Sequence, residues 1–363
     1  MVGHGQCLSP QPGDWMKGKL VGSGSFGTVH LAMNKATGAL FVVKSSQSEL
    51  GLKFLENEAN ILENLSSPYT VQCIGKDVTN TASTGEKRLD LFMEYMCGGS
   101  LADVAEKFGG VLDERVIRLY TREILQGLKY LHKNGIVHCD LKCKNVLLGS
   151  SGNVKLADFG CAIDLKHSNE RSTHFCKSMG GTPLWMAPEV LRNEGLDFAA
   201  DIWSLGCTVI EMATGRPPWG DVVSNPMAAV LKIACSDGVP QFPVHFSKQG
   251  LDFLAKCLER NPKRRWTSEE LLNHPFVTGE LSVDGRNSVK EDVCSPASVL
   301  DIRNYEDGSD EDDSEDESHD GGEFPSRFPF LVMQSGRRNS ALPMQQQESD
   351  LGSSGTWVTV RSG

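Results

Sequence analysis

Apolar and polar residues alternate near the start of the chain in the pattern of half-buried strands. The segment from Thr28 to Met33 alternates in this way, residues 34–38 are typical of a turn, and a second apolar segment runs from Leu40 to Lys44. A third segment of the same kind runs from Leu91 to Tyr95 and is soon followed by two glycines. We therefore predict a β-hairpin and at least one further strand in this part of the chain.

Two later segments repeat their apolar residues at the spacing of an amphipathic helix. The first stripe also includes Glu58 and consists otherwise of Phe54, Leu55, Ile61, Leu62 and Leu65. The second ends near Gly135, a residue type that commonly caps helices, and consists of Ile117, Tyr120, Ile124, Leu128 and Leu131. Ile202 to Met212 is almost wholly apolar but far shorter than the roughly 20 residues that span a bilayer, which predicts a buried helix. This order predicts a small β-rich lobe with one helix, followed by a mainly helical lobe.

Composition divides the chain into three parts. After a short extension at 1–13, apolar segments and turns alternate over 14–277, which we divide into an N-terminal lobe at 14–96 and a C-terminal lobe at 97–277. From 278 to 363 the residues are mainly Ser, Asp, Glu and Gly, and no apolar period is sustained. We therefore predict a disordered acidic tail with a regulatory or docking role.

The net charge of −11 comes from one segment of that tail. Of the 47 acidic residues, eleven lie between Glu306 and Glu323, where there is no Lys or Arg, so the other 36 balance the 36 basic residues. No basic patch with interleaved aromatic residues is present, which argues against a nucleic-acid partner.

The spacing of the cysteines and the composition of the N-terminal residues predict the cellular compartment of the protein. The chain has eleven cysteines without a Cys-x-x-Cys pair, and residues 1–13 contain no apolar signal segment. Val2 stands where N-myristoylation requires glycine. We therefore expect an intracellular protein of the cytoplasm and nucleus that does not associate with membranes.

A glycine-rich loop lies between the first predicted strands. Gly22, Gly24 and Gly27 form the pattern G-x-G-x-x-G, in which glycines let backbone amides approach phosphate oxygens closely. A dinucleotide-binding fingerprint would be followed by a helix, whereas a strand follows here, so this alternative is disfavoured. Lys44 ends an apolar strand, and Glu58 lies on the inward stripe of the next helix, where its carboxylate can hold the ammonium group. A plain surface lysine is the alternative.

Three further motifs resemble those of a known family. The segment HCDLKCKN runs from His138 to Asn145, VKLADFG runs from Val154 to Gly160, and Ala187-Pro188-Glu189 follows. Together with the glycine loop, they resemble the catalytic loop, the magnesium-binding motif and the end of the activation segment of eukaryotic protein kinases. The resemblance implies an α+β, bilobal protein kinase fold that uses ATP and Mg²⁺.

The same resemblance implies roles in phosphoryl transfer, a reaction that needs charge neutralised on the phosphates and a hydroxyl held in line. It implies that Asp140 accepts the proton of the substrate hydroxyl and that Lys142 contacts the γ-phosphate. Asn145 and Asp158 are the implied Mg²⁺ ligands. Lys44 is the implied partner of the α- and β-phosphates, and Glu58 is implied to hold the Lys44 ammonium in place.

A nucleotide cleft is also implied. The loop over the phosphates is expected to consist of Val21, Gly22, Ser23, Gly24, Ser25, Phe26 and Gly27. Adenine is expected between the side chains of Val21, Val29, Val42 and Leu147. Its edge is expected to contact the backbone of Glu94 and Met96, with Met93 as the gatekeeper. Most members of the family have Ala at the position of Val42, so we expect a tighter cleft roof here.

Several features narrow the resemblance. Lys142, together with Thr182 in Gly-Thr-Pro, resembles serine/threonine kinases rather than tyrosine kinases. The stretches 181–190 and 201–219 resemble MAP kinase kinase kinases of the MEKK type, most closely the short plant members. This implies a MAP kinase kinase as the protein substrate and a role in stress or abscisic acid signalling. A serine/threonine kinase outside the MAP kinase cascade is the alternative, whereas a pseudokinase scaffold would be expected to lack at least one of Lys44, Asp140, Asn145 and Asp158.

One position departs from the family pattern. Cys139 stands where most regulated kinases have an arginine that pairs with a phosphate on the activation segment. Ser178 matches the usual activating position, and Ser172 and Thr173 are further candidates. We therefore hypothesise substantial activity without phosphorylation of this segment, with control by abundance or partners.

Other positions that match the family pattern have structural interpretations. Asp201, Trp203 and Gly206 resemble the buried helix that supports the catalytic loop, and Arg265 resembles the partner of Glu189 in a buried ion pair. The alternative for Arg265, as part of the Lys-Arg-Arg run at 263–265, is a nuclear signal. Four cysteines near the motifs suggest small buried hydrophobes rather than zinc or redox chemistry, because their spacing is poor for zinc. They are Cys139, Cys143, Cys161 and Cys176.

The tail has two interpretations, a solvated spacer and a docking segment for upstream kinases or other partners. Ser309 and Ser314 each have an acidic residue three positions later, as acidophilic kinases require, and 337–340 suits a basophilic kinase. The apolar ending from Trp357 to Val360 is a candidate docking strand.

Overall fold

The computed structural model describes residues 13–24, 26–80, 87–167, 181–220 and 226–279. Its first part is an antiparallel sheet with the strand order β1-β2-β3-β5-β4. The strands are β1 (Trp15–Gly24), β2 (Gly27–Asn34), β3 (Leu40–Ser45), β4 (Cys73–Asn80) and β5 (Lys87–Glu94). The predicted hairpin is confirmed as β2 and β3. The third predicted strand is the end of β5, which begins earlier and stops at Glu94, before Tyr95.

One helix packs on this sheet, as the apolar stripe predicted. It is α1 (Glu49–Leu62), and the hydroxyl of Ser48 caps its start by accepting the amide hydrogen of Gly51. The prediction was wrong about Leu65, which is buried in the loop beyond the helix and donates its amide to the carbonyl of Leu62. The start of the helix lies against the glycine-rich loop, since a Cβ on Gly51 would come within 2.4 Å of the Phe26 carbonyl oxygen.

The sheet buries apolar residues on both faces. On the face opposite α1, Trp15, Phe41 and Phe92 form edge-to-face pairs with ring centroids 5.6–6.0 Å apart. On the other face, Val42 and Met93 are neighbours across β3 and β5 and belong to the main core. This explains why β3 is a continuous apolar segment rather than an alternating one.

Helices dominate the second part, as predicted. They are α2 (Leu101–Lys107), α3 (Glu114–Asn134), α4 (Pro188–Leu191), α5 (Ala199–Thr214), α6 (Pro226–Cys235), α7 (Lys248–Cys257), α8 (Ser268–Leu272) and α9 (Pro275–Thr278). Asp113 caps the start of α3, and Gly135, at φ 85°, ends it as predicted. The buried apolar segment lies in α5. Across the described ranges, we find no helix with the length and apolarity to cross a membrane.

Short strands hold the loops that carry the sequence motifs. They are β6 (Gly99–Ser100), β7 (Ile136–Val137), β8 (Val146–Leu148), β9 (Val154–Leu156) and β10 (Ile163–Asp164). β7 pairs with β10, and β8 pairs with both β6 and β9. The catalytic loop runs from β7 to β8, and the metal-binding motif runs from β9 to β10. Because β7 pairs with β10 and β8 with β9, these strand pairs hold the two loops side by side. The bilobal kinase architecture is thus present, whereas the predictions for residues 1–12 and for the tail from 280 onward fall outside the described residues.

Candidate active site

Three charged side chains from different elements meet where the two lobes face each other. The Lys44 ammonium on β3 lies 2.5 Å from a Glu58 carboxylate oxygen on α1 and 2.7 Å from Asp158 Oδ1. Lys44 and Glu58 are buried. Burial alone would lower the pKa of Lys44, but the two carboxylates raise it above its ordinary value, so the cation is retained. The structure therefore brings this predicted pair together and rejects the surface-lysine alternative.

The helix α1 also holds the metal-binding motif directly. The Asn57 side-chain amide donates to the carbonyl oxygens of Gly160 and Ala162, both at 2.9 Å. The Phe159 amide donates to Glu58 at 3.3 Å. Asp158 itself has a left-handed backbone with φ 64°, which is uncommon for a residue with a side chain. Asn57 is not identifiable from the sequence, because its partners lie about a hundred positions away and leave no local pattern.

The candidate catalytic base accepts hydrogen bonds on both oxygens. Asp140 Oδ1 accepts the Thr182 hydroxyl at 2.7 Å, and Oδ2 accepts the Lys142 ammonium at 3.0 Å and the Asn145 amide at 2.9 Å. Lys142 also donates to the Thr182 hydroxyl at 2.5 Å. Burial would lower the pKa of Lys142, but Asp140 raises it, so the ammonium remains charged. The carboxylate thus already accepts an aliphatic hydroxyl, the group that a serine or threonine substrate presents.

A buried aspartate on α5 holds the backbone of the catalytic loop in place. Asp201 accepts the amide hydrogens of His138 at 2.9 Å and Cys139 at 3.0 Å, and its Oδ2 lies 2.9 Å from His132 Nε2. Burial would raise its pKa, but the His132 contact and the other hydrogen bonds lower it. The stabilisation from this carboxylate is therefore present at neutral pH and is lost only as the pH falls through the lowered pKa.

A second carboxylate on α5, Glu211, was not identified from the sequence. Its Oε2 accepts the Cys143 amide hydrogen and the Trp185 indole hydrogen, both at 3.0 Å. Burial raises the pKa of Glu211, and the two hydrogen bonds oppose that rise. One oxygen thus connects the catalytic loop to the segment that carries Thr182, so Glu211 is a positioning residue for the Asp140 cluster.

We expect Glu211→Leu to lower kcat, because it leaves two buried donors without an acceptor, each at a cost of about 1–3 kcal/mol. Glu211→Gln retains an acceptor oxygen and should keep most of the activity. The measurement is kcat and KM on a protein substrate for both variants, with thermal unfolding as a folding check. Equal kcat values in Glu211→Leu and the unmodified protein would contradict the positioning role.

The predicted apolar nucleotide residues belong to the main hydrophobic core or pack against it. Val21, Val29 and Leu147 are partly buried and pack on the main core, while Val42 and Met93 are buried neighbours. Apolar side chains of both lobes thus contribute to the same core at the positions expected to contact adenine.

Some of the backbone groups expected to contact adenine already form hydrogen bonds within the protein. The Glu94 amide donates to the Gln72 carbonyl at 3.1 Å, so this amide is engaged within the protein. The Met96 carbonyl accepts the Gly99 amide at 3.3 Å. Adenine contacts at these two residues would therefore use the Glu94 carbonyl and the Met96 amide.

The glycine-rich loop packs tightly against the rest of the N-terminal lobe. Residues 22–24 pair with 27–29 across β1 and β2, with Ser23 opposite Thr28. A Cβ on Gly27 would come within 2.2 Å of the Ser45 carbonyl oxygen, so only glycine fits there. The Phe26 ring lies 3.9 Å, between centroids, from that of Phe54 on α1. Ser25 falls outside the described residues.

Two of the cysteines near the site are buried within the protein. Cys143 and Cys161 are buried, and burial raises the pKa of the Cys143 thiol well above its ordinary value. Cys161 Sγ accepts the Gly181 amide at 3.2 Å. Among the described residues there is no group of His, Cys, Asp or Glu suited to holding a metal ion in the manner of zinc, and Cys176 lies outside them. Cys143 therefore matches the expected small buried hydrophobe.

Comparison with known proteins agrees with this arrangement. A family model described as protein kinase domain matches residues 15–277. Mitogen-activated protein kinase kinase kinase 17 of Arabidopsis thaliana is 41% identical over 273 residues, which cover 75% of this chain and 71% of that protein. A mitogen-activated protein kinase kinase kinase 3 of the same plant is 44% identical over 277 residues, or 73% of this chain.

A relative outside plants matches a similar region. Mitogen-activated protein kinase kinase kinase A of Dictyostelium discoideum is 40% identical over 307 residues, which are 82% of this chain. This chain spans 31% of the Dictyostelium protein and 41% of the plant kinase 3, so both relatives contain long regions without a counterpart here. The chain therefore belongs to the protein kinase family, and within it to the serine/threonine kinases that resemble mitogen-activated protein kinase kinase kinases.

Proposed function

We propose that the chain is a MAP kinase kinase kinase that transfers the γ-phosphoryl group of ATP to serine or threonine of a MAP kinase kinase. The observation that carries the chemistry is the contact of Asp140 with the Thr182 hydroxyl and the Lys142 ammonium. The names of the relatives support the place in the cascade. The likeness to short plant members supports a role in stress or abscisic acid signalling.

Each charged residue of the site has a separate role in phosphoryl transfer. Lys44, held by Glu58, supplies a fixed positive charge for the α- and β-phosphates. Asp140 orients the substrate hydroxyl and accepts its proton, and Lys142 stabilises charge on the transferred group. Because Lys142 and Asp140 are both largely buried, their charges act with little screening by solvent.

The site also has oxygen ligands that fit Mg²⁺. Asn145 donates its side-chain amide to Asp140, which leaves its Oδ1 buried and without a hydrogen-bond partner among the described residues. The Ala157 amide, next to Asp158 in the chain, donates to the Asn145 backbone carbonyl at 2.9 Å. The orphaned Asn145 oxygen and the Asp158 carboxylate are oxygen donors of the kind that this hard cation prefers. Asn145 and Asp158 would hold Mg²⁺, which when bound neutralises charge on the β- and γ-phosphates.

The test is incubation of the purified full chain with a panel of kinase-dead MAP kinase kinases and labelled ATP. We expect label on Ser or Thr of the substrate activation loop, and none with Asp140→Asn. Label on a general substrate such as casein, but on none of the panel, would favour a kinase outside the cascade. ATP binding without any transfer would favour a pseudokinase scaffold.

Activity is expected to depend little on phosphorylation of Ser178, which lies outside the described residues. The Cys139 amide donates to Asp201, and its thiol donates to the Val137 carbonyl at 3.6 Å. A thiol offers a phosphate no bidentate cation of the kind that a guanidinium provides. Purified Ser178→Ala should therefore keep most of the wild-type kcat.

The matched variant is Cys139→Arg, which restores a guanidinium group beside the base. We expect this variant to become more active when Ser178 is phosphorylated and to lose that gain in Cys139→Arg/Ser178→Ala. If Ser178→Ala alone abolishes activity in purified protein, the regulatory hypothesis is wrong.

A further inference from the structure

The helix α3 carries basic residues along the face opposite its buried stripe. At 3.6 residues per turn, the five cations share one side of the helix. They are Arg115, Arg118, Arg122, Lys129 and Lys133, and we call them the α3 basic face. Arg115 and Lys129 are 63% and 43% exposed. The helix therefore presents concentrated positive charge, although the part of the chain outside the acidic segment is neutral in total.

Three of the five cations have an acidic partner: Arg115 pairs with Asp113, Arg118 with Glu114, and Lys129 with Glu269. In the described part of the chain, Arg122 and Lys133 form no ion pair. The Arg118–Glu114 pair is largely buried, with side chains 16% and 18% exposed, and stays in place. The pairs of Arg115 and Lys129 are exposed and contribute only about 0–1 kcal/mol each, so an incoming carboxylate can replace them at small cost.

A cavity of about 370 Å³ adjoins the α3 basic face, between α3 and the α8–α9 region. Arg122, Gln126 and Lys129 line it from α3, and Glu269, Leu272, Asn273 and Thr278 line it from the other side. Five of these seven side chains can donate hydrogen bonds, whereas Glu269 is the one acid and is paired with Lys129. The two cations and three neutral donors suit carboxylates or phosphates.

The tail leaves the domain at this cavity. Thr278 lines it, and a Cβ on Gly279, the last described residue, would lie 3.5 Å from Arg118 Nη1. Residues 280–305 connect this point to Glu306, the first residue of the acidic segment. Twenty-six residues can span at most about 86–94 Å, which exceeds the length of roughly 31 Å of a 21-residue helix. The acidic segment is therefore within reach of the whole α3 basic face.

We propose that the acidic segment Glu306–Glu323 of this chain binds the α3 basic face and the adjoining cavity. The segment has eleven carboxylates without a single Lys or Arg, so its charge complements the five cations. A short connection raises the effective concentration to the order of millimolar, which makes even a weak contact populated. This site is separate from the catalytic cluster and rests on no assumption about the substrate of the kinase.

Phosphorylation of the acidic segment would change its affinity for the α3 basic face. Ser309 and Ser314 lie inside it and have the acidic residue that acidophilic kinases require. Each phosphate adds about 1.5 to 2 negative charges at neutral pH and strong acceptors for Arg. Phosphorylation at these two serines therefore strengthens binding to the α3 basic face.

The test uses a labelled synthetic peptide of residues 306–323 as the probe. The receptor is the full chain with the eleven acidic residues of the segment changed to their amides, so that the chain's own segment cannot compete. We expect fluorescence anisotropy to show salt-sensitive binding that Arg122→Glu/Lys129→Glu weakens at least tenfold. The unmodified chain should bind the probe more weakly than the neutralised chain, because its own segment occupies the face.

The matched control is Lys53→Glu/Lys87→Glu, which makes the same charge change at two exposed, ion-paired lysines of the N-terminal lobe. An equal loss of binding in both double variants would overturn the proposal, since only net charge would then matter. Carbodiimide cross-linking of the unmodified chain should join Lys129 or Lys133 to 306–323 within monomers. Cross-links found only in dimers would show that the face takes the segment of a second copy, and would also overturn it.

Discussion

We expect Asp140→Asn to lower kcat by roughly 10²- to 10⁴-fold, the range found when a positioned general base is removed. The Asp140 carboxylate accepts hydrogen bonds from Thr182, Lys142 and Asn145, so both oxygens face donors. An amide in its place cannot accept the substrate proton and turns one donor group toward these donors. The KM for ATP should change little, because no part of the expected nucleotide cleft is altered.

The control is an aspartate-to-asparagine substitution at a helix cap, where a side-chain amide accepts the capping hydrogen bond as well as a carboxylate does. Asp113 caps α3 by accepting the Arg115 amide hydrogen at 2.8 Å, and Asn is an equally good cap. Asp113→Asn should therefore keep full kcat and the same unfolding temperature. A kcat for Asp140→Asn within a few-fold of the unmodified enzyme would show that another group accepts the proton.

Local patterns in the sequence predicted the elements that carry the site. The alternation at 28–33 and the stripe at 117–131 became β2 and α3, because each pattern reflects burial of one face against a core. The motif residues were identifiable for a different reason: Asp140, Lys142 and Asn145 lie on one short loop, so the geometry of that loop is encoded in consecutive residues.

Contacts between distant segments could not be predicted in this way. Asn57 holds a motif about a hundred residues away, and Glu211 joins two loops through a single oxygen. Neither stands out from the residues beside it, because Asn57 lies on a helix with many polar positions and Glu211 near the end of an apolar one. Their importance arises only when the two lobes and the activation segment are packed together. The helix end at Leu62 was missed for a related reason, since Leu65 is buried without being helical.

We expect Arg265→Met to destabilise the protein by about 3–5 kcal/mol, because it leaves the buried Glu189 carboxylate without a partner. Arg265 binds Glu189 through two nitrogens, at 2.7 and 3.1 Å. The same guanidinium donates to the carbonyl oxygens of Ala199 at 2.6 Å and Glu259 at 2.9 Å, and it lies 5.3 Å from the centre of the Trp203 ring. One side chain thus joins α4, α5 and the segment after α7.

At about 2–4 °C per kcal/mol for a domain of this size, the loss corresponds to a fall of roughly 6–20 °C in Tm. Thermal unfolding followed by circular dichroism measures it. The adjacent Arg264, which is 74% exposed and 3.6 Å from Glu259, provides the control, and Arg264→Met should shift Tm very little.

A second variant separates the lost pair from lost packing. Arg265→Met/Glu189→Leu removes both charges, so it should be more stable than Arg265→Met alone, since no carboxylate is then buried unpaired. If the double variant were instead less stable by the sum of the two single losses, the two residues would act independently. The stability of this region would then come from the carbonyl and ring contacts of Arg265 rather than from its ion pair.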